Sequence, residues 1–290
     1  MASDTSWKKI WDDKKLDKHD FSKSPVTITA AEIKKSCQDF TETHDKEVRI
    51  LCKQDRREDR PKVFRDNGLF LLPKKNGSYY IIKGEGYVDV PDITTPIEDY
   101  HKQLDFELES SKIGNSEMQH LDYAYANSLI RTFMKDPSLV LTIRGRKYTP
   151  EFDFRVNGFE IHTESVQTEV DAGYEGKDQI VLIEAKNSSN KTEIIRQLYY
   201  PFRQWSENTT KKVIPIFFEK RSINDDDVYY IWEYQFTDIK DYNSIKLVKS
   251  ARYRIGEKCL SHFTNHPATT SICFMAIRLN CCRSSISSST

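Results

Sequence analysis

Residues 170–186 read Val-Asp-Ala-Gly-Tyr-Glu-Gly-Lys-Asp-Gln-Ile-Val-Leu-Ile-Glu-Ala-Lys, and the prediction of the fold rests on this segment. Residues 179–186 predict a buried strand, because a run of apolar residues precedes an acid, a small residue and a base. Alternate side chains of a strand point to opposite faces, so Glu184 and Lys186 share one face. A buried acid and a buried lysine require partners. Asp171, at the end of the preceding extended run, becomes such a partner if the two runs form a hairpin.

Two carboxylates and a lysine on adjacent strands form a site for a hard divalent cation, with a charged group beside it. This pattern resembles the PD-(D/E)XK nuclease superfamily, and its surroundings resemble a type II restriction endonuclease. In that family an Asp starts the second core strand and an acid-x-Lys sequence ends the third. Asp171 and Glu184-Ala185-Lys186 match this order and spacing. The residue before the Asp is Val170 where the family pattern has Pro, so the sequence departs from the pattern there.

The resemblance implies a fold, a reaction and a set of ligands. The implied fold is α/β (α+β), a restriction-endonuclease-like core with a central mixed sheet flanked by helices. The implied reaction is Mg²⁺-dependent hydrolysis of double-stranded DNA, with Mn²⁺ as a substitute cation. Asp171, Glu184 and the backbone carbonyl of Ala185 are the implied metal ligands. Lys186 would orient or deprotonate the attacking water, or stabilise the charged phosphate.

A helix that begins at Asn115 or Ser116 is predicted before the strands, because a capping residue there precedes an apolar stripe at helical spacing. Glu117, in its first turn, matches the acid that an N-terminal helix of this superfamily presents to the metal. The alternative is that Glu117 only complements the helix N-terminus. His120 and Asp122 are the other candidates on this helix.

A second helix is predicted from about residue 192 to residue 205, after Lys186. Nucleases of this superfamily follow the acid-x-Lys strand with a helix that carries a Gln or Tyr facing the site. Gln197 and Tyr200 match that role, and Gln197 is a predicted catalytic residue. Aromatic core packing is the alternative for Tyr200.

The first 90 residues predict a separate domain of three short helices and a hairpin. Thr29-Ala-Ala-Glu32 is a capping box, and Asn76-Gly77 is a hairpin turn between two apolar runs. This is the layout of a winged helix-turn-helix, so residues 1–90 are predicted to form a winged-helix-like DNA-binding domain. Residues 91–280 are then the nuclease core, and the serine-rich residues 281–290 a disordered tail.

The side chains predicted to contact DNA are basic, apart from one tyrosine. Lysine and arginine neutralise phosphates, and arginine also reads guanine edges. Arg144-Gly-Arg-Lys147 is predicted to be a loop between two strands. A solvated basic surface that binds nothing is the alternative for the N-terminal residues and for this loop. The predicted contacts are Arg57, Arg60, Lys62, Arg65, Lys74 and Lys75 in the first domain, and Arg144, Arg146, Lys147, Arg196 and Tyr200 in the core.

The composition narrows the class of protein. The chain has 290 residues with 44 basic and 44 acidic side chains, and a net charge of zero does not exclude a local basic face. No apolar stretch approaches the roughly 20 residues that span a bilayer, and the N-terminus is polar, so a cytoplasmic protein without a membrane partner is expected. Six cysteines without a Cys-x-x-Cys pair are interpreted as reduced thiols.

Restriction is the favoured function, because a chain of this size carries no Walker A motif and no second recognisable enzyme. A homodimer is expected, since symmetric DNA sites are usually cut by dimers, and a cognate DNA methyltransferase is the expected partner of the system. One alternative is a structure-specific repair or mobile-element nuclease of the same superfamily. Another is a catalytically inactive winged-helix DNA-binding protein, and a third takes Glu184 and Lys186 as a structural ion pair. A literal Pro91-Asp92 lies too far upstream to be the motif.

Overall fold

The structure is a computed structural model that describes residues 2–187, 189–224 and 226–256, all of which fall in one compact unit. The predicted tail 281–290, the end of the predicted domain 91–280 and four of the six cysteines lie outside the described residues. The remaining two, Cys37 and Cys52, are free thiols. Within the described residues, no helix combines the length and the apolar character needed to cross a membrane.

Groups of helices and groups of strands follow one another along the chain, with short 3-10 turns between some of them. The helices are α1 (Ala2–Asp13), α2 (Ala30–Ser36), α3 (Thr43–Lys46), α4 (Val48–Leu51), α5 (Lys62–Asn67), α6 (Glu117–Ala126), α7 (Leu129–Met134) and α8 (Ile195–Asn208). The strands are β1 (Val26–Thr29), β2 (Leu69–Lys75), β3 (Ser78–Lys83), β4 (Tyr87–Asp89), β5 (Glu98–His101), β6 (Val140–Tyr148), β7 (Phe152–Val156), β8 (Phe159–Thr163), β9 (Gln167–Glu175), β10 (Gln179–Lys186), β11 (Thr192–Ile194), β12 (Lys212–Ile223), β13 (Asp226–Phe236) and β14 (Ile245–Gly256).

A seven-stranded mixed sheet with the order β5-β14-β13-β12-β10-β9-β6 forms the centre of the fold. Strands β10 and β12 are parallel, as are β14 and β5, and the remaining neighbours are antiparallel. Helices α6 and α7 contribute to the core on one face of the sheet, and α8 packs on the other. The prediction of a mixed sheet flanked by helices, in the α+β class, is confirmed.

Strands β9 and β10 form the predicted hairpin, in which Ile183 pairs with Ala172. Both faces of β10 are buried, which explains its unbroken apolar run. Ile180 and Leu182 belong to the core under α8, whereas Val181 belongs, with the residues of α6 and α7, to the opposite core. Strand β10 pairs with β9 as far as Ile183 and with β12 along its whole length, so β12 holds the backbone of its C-terminal end.

The N-terminal part of the chain has a hydrophobic core of its own, built only from residues 7–81, with Trp7 and Phe64 among its fully buried side chains. The capping box at Thr29 is present, and the β2–β3 hairpin joins β1 in a three-stranded sheet of order β1-β3-β2. Strand β2 joins this core to the central one: Leu69 and Leu71 point into the N-terminal core, while Phe70 and Leu72 point into the core under α8.

The structure corrects three sequence predictions. Residues 144–147 lie within the edge strand β6 and do not form a loop. The predicted helix 192–205 begins as the short strand β11, and α8 then continues through Pro201 to Asn208. The sequence also predicts a pair of strands over residues 238–255, and the structure has a 3-10 turn there followed by the single strand β14.

Candidate functional site

Asp171 and Glu184 lie side by side where the β9–β10 ladder ends, one position beyond the pair Ile183–Ala172. The Oδ2 atom of Asp171 accepts a hydrogen bond of 2.8 Å from the backbone N–H of Ala185. This bond fixes the Asp171 carboxylate against the end of β10. The hairpin therefore brings the two predicted acidic residues together, as the sequence pattern requires.

Lys186 and Gln197 both contact the same oxygen of Glu184. The Lys186 ammonium forms an ion pair with Glu184 Oε1. Gln197, on the first turn of α8, donates from Nε2 to this oxygen at 2.6 Å. The Oε1 atom of Gln197 is buried and has no hydrogen-bond partner among the described residues. Gln197 thus faces the predicted acid, where its amide can hold the carboxylate in one orientation.

Burial dominates the electrostatics of this centre. Desolvation raises the pKa of Glu184 to about 7, although Lys186 acts in the opposite direction. Desolvation also raises the pKa of Asp171, against the hydrogen bond from Ala185. For Lys186, burial opposes the charged form, but the nearby carboxylates of Glu184 and Glu193 outweigh it and raise the pKa well above its usual value. Lys186 is therefore an ammonium at neutral pH.

Two further buried acids, Glu193 and Glu219, surround Lys186, and sequence reasoning missed both. Glu193 in β11 has no exposed surface, and its Oε1 lies 4.0 Å from Lys186 Nζ. Burial raises its pKa to about 8. Glu219 in β12 is the ladder partner of Lys186 and accepts from the backbone N–H of Asn190 at 2.8 Å. Glu219 follows a buried apolar run in β12, as Glu184 follows one in β10, so this pattern was visible in the sequence, whereas no local pattern marks Glu193.

Helix α6 brings Glu117 towards the same centre. Ser116 caps the helix through its bond from the Gln119 N–H, and Asn187, next to Lys186, donates to the carbonyl of Asn115 at 2.7 Å. The half-buried Glu117 contributes to the raised pKa of Lys186, which places it within electrostatic range.

The two alternates on this helix have other partners. His120 is buried and bonded to Asn115 Oδ1 at 2.6 Å, and Asp122 forms an ion pair with Arg144. Each of these contacts is explained by local structure, so Glu117 remains the candidate of this helix.

Most of the basic side chains predicted to bind DNA in the N-terminal region have partners inside the protein. Arg57 pairs with Asp89 and Glu85, and Arg60 donates to the carbonyls of Arg57 and Leu69. The other four basic side chains also have contacts within the protein. Lys62 pairs with Asp66, and Lys75 pairs with Glu164. Arg65 donates to the Arg60 carbonyl, and Lys74 lies over the Tyr80 ring. Lys62 and Lys75 keep half or more of their side-chain surface exposed.

Among the core residues predicted to bind DNA, Lys147 and Arg146 are exposed on the edge strand β6, Arg146 beside Glu169. Arg196 is held by Asp55 at 3.3 Å. The placement of Tyr200 is corrected: its side chain is 1% exposed and its hydroxyl donates to the Pro73 carbonyl at 2.9 Å. Tyr200 therefore packs in the core, where its ring cannot reach DNA.

A separate group of possible ligand atoms lies on the β7–β8 hairpin and next to it. Atoms of Glu151, His162 and Glu164 fall within 4.8 Å of one another. The group is partly exposed, His162 is bonded to Asp153 at 2.8 Å, and Glu164 is paired with Lys75. These contacts account for the group without an ion.

The donor set at the end of β10 suits a hard divalent cation. Mg²⁺ and Mn²⁺ prefer oxygen ligands, and the side chains of Asp171 and Glu184 supply them. The buried oxygens of Gln197 and Glu193, which have no hydrogen-bond partner among the described residues, add unused acceptors around the same centre. An excess of buried acceptors over donors is what a cation would balance.

Fold and site together define a mixed α+β protein with a buried acid–lysine centre at the end of its central hairpin. The chain belongs to the family described as "Domain of unknown function (DUF6997)", whose family model matches residues 82–254. Residues 4–81 match a second family model, described as "Domain of unknown function (DUF6996)". The two matches meet where the N-terminal core ends, at Ile81. Searches of the curated proteins and of the solved structures found no match.

Proposed function

We propose that this protein is a Mg²⁺-dependent endodeoxyribonuclease of the PD-(D/E)XK kind that acts as a type II restriction endonuclease. The observation that carries the proposal is the meeting of Asp171, Glu184 and Lys186 at the end of one hairpin, with Gln197 bonded to Glu184. An acid-x-Lys sequence that occurs by chance is not expected to have both an acid from the neighbouring strand and an amide from the following helix beside it.

Asp171 and Glu184 would hold the cation, and Mn²⁺ would substitute for Mg²⁺. A bound Mg²⁺ supplies Lewis-acid charge that offsets the negative charge developing on the phosphate. Gln197 fixes the Glu184 carboxylate through its 2.6 Å bond, and the backbone N–H of Ala185 fixes that of Asp171. The cation ligands are thus oriented before any ligand binds, which lowers the reorganisation that binding requires.

Lys186 would contribute charge and hydrogen bonds to the phosphate. Its ammonium lies among carboxylates that keep it protonated, so it is suited to stabilising the charged transition state and poorly suited to accepting a proton. Glu117, at the start of α6, would hydrogen-bond a water of the cation. With these roles assigned, the nucleophile that attacks phosphorus would be a water molecule.

The N-terminal residues would form a winged-helix-like module, and the core a restriction-endonuclease-like fold. The order helix, strand, helices, strand, strand and the sheet β1-β3-β2 support the first assignment. In this module the exposed Lys62 and Lys75 are the residues we assign to phosphates. On the core, Arg146 and Lys147 lie on the edge strand β6 and are assigned to the same duplex.

The test is digestion of plasmid DNA with Mg²⁺ by the full chain and by Asp171→Ala, Glu184→Ala and Lys186→Ala. The wild-type protein is expected to give discrete bands, and each variant to lose cleavage while DNA binding stays measurable by gel shift. A smear or a nick in place of bands would move the function to a structure-specific nuclease. Full cleavage by Glu184→Ala would overturn the assignment of the site.

Dimerisation is part of the same proposal, because palindromic DNA is cut by two symmetric active sites. Sedimentation of the protein with a duplex is expected to report two copies of the chain on one DNA site.

A further inference from the structure

Glu193, an acid beside the proposed site, has no exposed surface, and hydrogen bonds reach only one of its two carboxylate oxygens among the described residues. Its Oε2 accepts from the Asn190 amide at 3.2 Å. Its Oε1 is buried and has no hydrogen-bond partner among the described residues. Leaving such an oxygen without a donor destabilises the folded state, and more so when the group is charged. The protein therefore keeps an acid at a buried position that supplies one hydrogen-bond donor for its two oxygens.

Hydrogen bonds to neighbouring segments hold the backbone of residues 192–194, so they restrict the position of the Glu193 side chain. Strand β11 pairs with β4, where Glu193 is opposite Val88. The N–H of Ile194, the next residue, donates to the Asp55 carbonyl at 2.7 Å. The N–H of Arg57 donates to the Thr192 hydroxyl at 3.1 Å. The N-terminal region thus fixes the position of Glu193 from outside the sheet.

Lys186 lies between Glu193 and Glu184. Its ammonium contacts Glu184 Oε1 and lies 4.0 Å from Glu193 Oε1, just outside hydrogen-bond distance. A charge-assisted hydrogen bond is about 2.8 Å long, so a movement of about 1 Å would transfer the ammonium from one carboxylate to the other. The space in front of Glu193 Oε1 is therefore taken by the lysine.

We propose that Glu193 is a positioning residue that receives the Lys186 ammonium when a divalent cation binds at Glu184. This inference rests on the proposed cation site. A cation and an ammonium compete for Glu184 Oε1, because both are positive and both require that oxygen. Contact with the displaced ammonium favours the ionised form of Glu193, so Lys186 gives up Glu184 without losing a carboxylate partner, and it stays next to the phosphate site. Without Glu193, the lysine would either remain on Glu184 and weaken cation binding, or be buried without an ion-pair partner.

The test is a double-mutant cycle read by isothermal titration calorimetry with Mn²⁺ alone. Glu193→Gln in the full chain is expected to weaken Mn²⁺ binding by about tenfold, the usual scale for residues that orient a metal ligand. In the Lys186→Met background the competitor is gone, so adding Glu193→Gln is expected to change the Kd by no more than about twofold. Glu193→Asp, which keeps the carboxylate, is expected to recover part of the lost affinity.

Glu219→Gln is the matched control, because it removes another buried acid beside Lys186 whose oxygens already have donors, from Asn190 and Arg221. Its Mn²⁺ Kd is expected to stay within about twofold of wild type. Equal weakening by Glu193→Gln with and without Lys186 would overturn the inference, as would a Glu193→Gln protein that binds Mn²⁺ normally. If the double-mutant cycle gives the expected Mn²⁺ affinities but the wild-type protein does not cleave DNA, the proposed function is overturned and this inference stands.

Discussion

Two glutamates of this chain, Glu32 in the N-terminal domain and Glu193 beside the proposed site, have opposite electrostatic environments. Glu32 accepts from Lys14 at 2.7 Å and from the N–H and hydroxyl of Thr29 at 2.9 and 2.8 Å. Its pKa is lowered to about 2, first by Lys14 and then by Thr29. Glu193 has no exposed surface, one of its oxygens has no hydrogen-bond partner in the described part of the chain, and desolvation raises its pKa to about 8.

The two environments separate an acid whose charge stabilises the folded state from an acid whose charge destabilises it. Glu32 closes the capping box of α2, so its charge favours the folded state. Glu193, like Glu184, opposes folding when it is ionised, because its burial is not matched by donors. Strongly perturbed acids gathered in one place are characteristic of functional sites, where stability is given up for chemistry.

The largest expected effect on stability is that of Mg²⁺. At a concentration about 100 times its Kd, a cation that binds only the folded protein adds about 2.7 kcal/mol to the free energy of unfolding. Thermal unfolding should therefore shift upward by several degrees in wild type and in Glu32→Gln, and not in Glu184→Gln. An equal shift in Glu184→Gln would place the cation elsewhere, with Glu151, His162 and Glu164 as the next group to test.

The pH dependence of stability should have opposite signs for the two glutamates. The pKa of Glu193 is about 8 in the folded protein against an ordinary value of 4.5, so between these two pH values the folded state holds a proton that the unfolded state has lost. Its contribution makes stability fall as pH rises through that interval. For Glu32, at about 2 in the folded protein, stability is present above pH 4.5 and is lost as pH falls towards 2.

Urea unfolding in metal-free buffer at pH 5, 7 and 8.5 measures the fall in stability with rising pH that Glu193 causes. The free energy of unfolding of Glu193→Gln should fall less steeply with pH than that of wild type. Parallel curves for the two proteins would contradict the raised pKa of Glu193.

The smallest expected effect lies at the capping box. Thr29→Ala removes the hydroxyl that accepts from the Glu32 N–H and donates to its carboxylate, and it should lower the free energy of unfolding by about 1 kcal/mol. Thr27→Ala, at an exposed position of β1, is the control and should stay within about 0.5 kcal/mol of wild type. DNA cleavage should be the same in both variants, because the capping box is not part of the site.

The sequence predicted the parts of the fold that depend on local pattern. The apolar run before Glu184, the Asn76-Gly77 turn and the capping box at Thr29 each have a short-range cause, and each is found as predicted. The pairing of Asp171 with the end of β10 also followed, because a hairpin leaves few choices of partner.

What the sequence did not predict depends on distant packing. The sequence predicts Glu193 to be an ordinary polar residue in the first turn of a helix, and only the packing of β11 against β4 and the N-terminal region makes it buried. Tyr200 carries a hydroxyl that suits DNA, but the Pro73 carbonyl, far away in the chain, binds it in the core. Residues 144–147 resemble a loop because of their charge and glycine, whereas pairing with β9 makes them a strand.

The most direct test of the account compares DNA cleavage by Glu184→Gln and Glu32→Gln, both isosteric changes of a glutamate. On supercoiled plasmid with Mg²⁺, Glu184→Gln should cleave more than about 100-fold more slowly than wild type, since loss of a metal ligand exceeds the effect of changing its supports. Glu32→Gln should cleave at the wild-type rate once both proteins are folded at the assay temperature. Cleavage by Glu184→Gln at the wild-type rate, or cleavage that persists in excess EDTA, would contradict a cation-dependent nuclease centre at the end of β10.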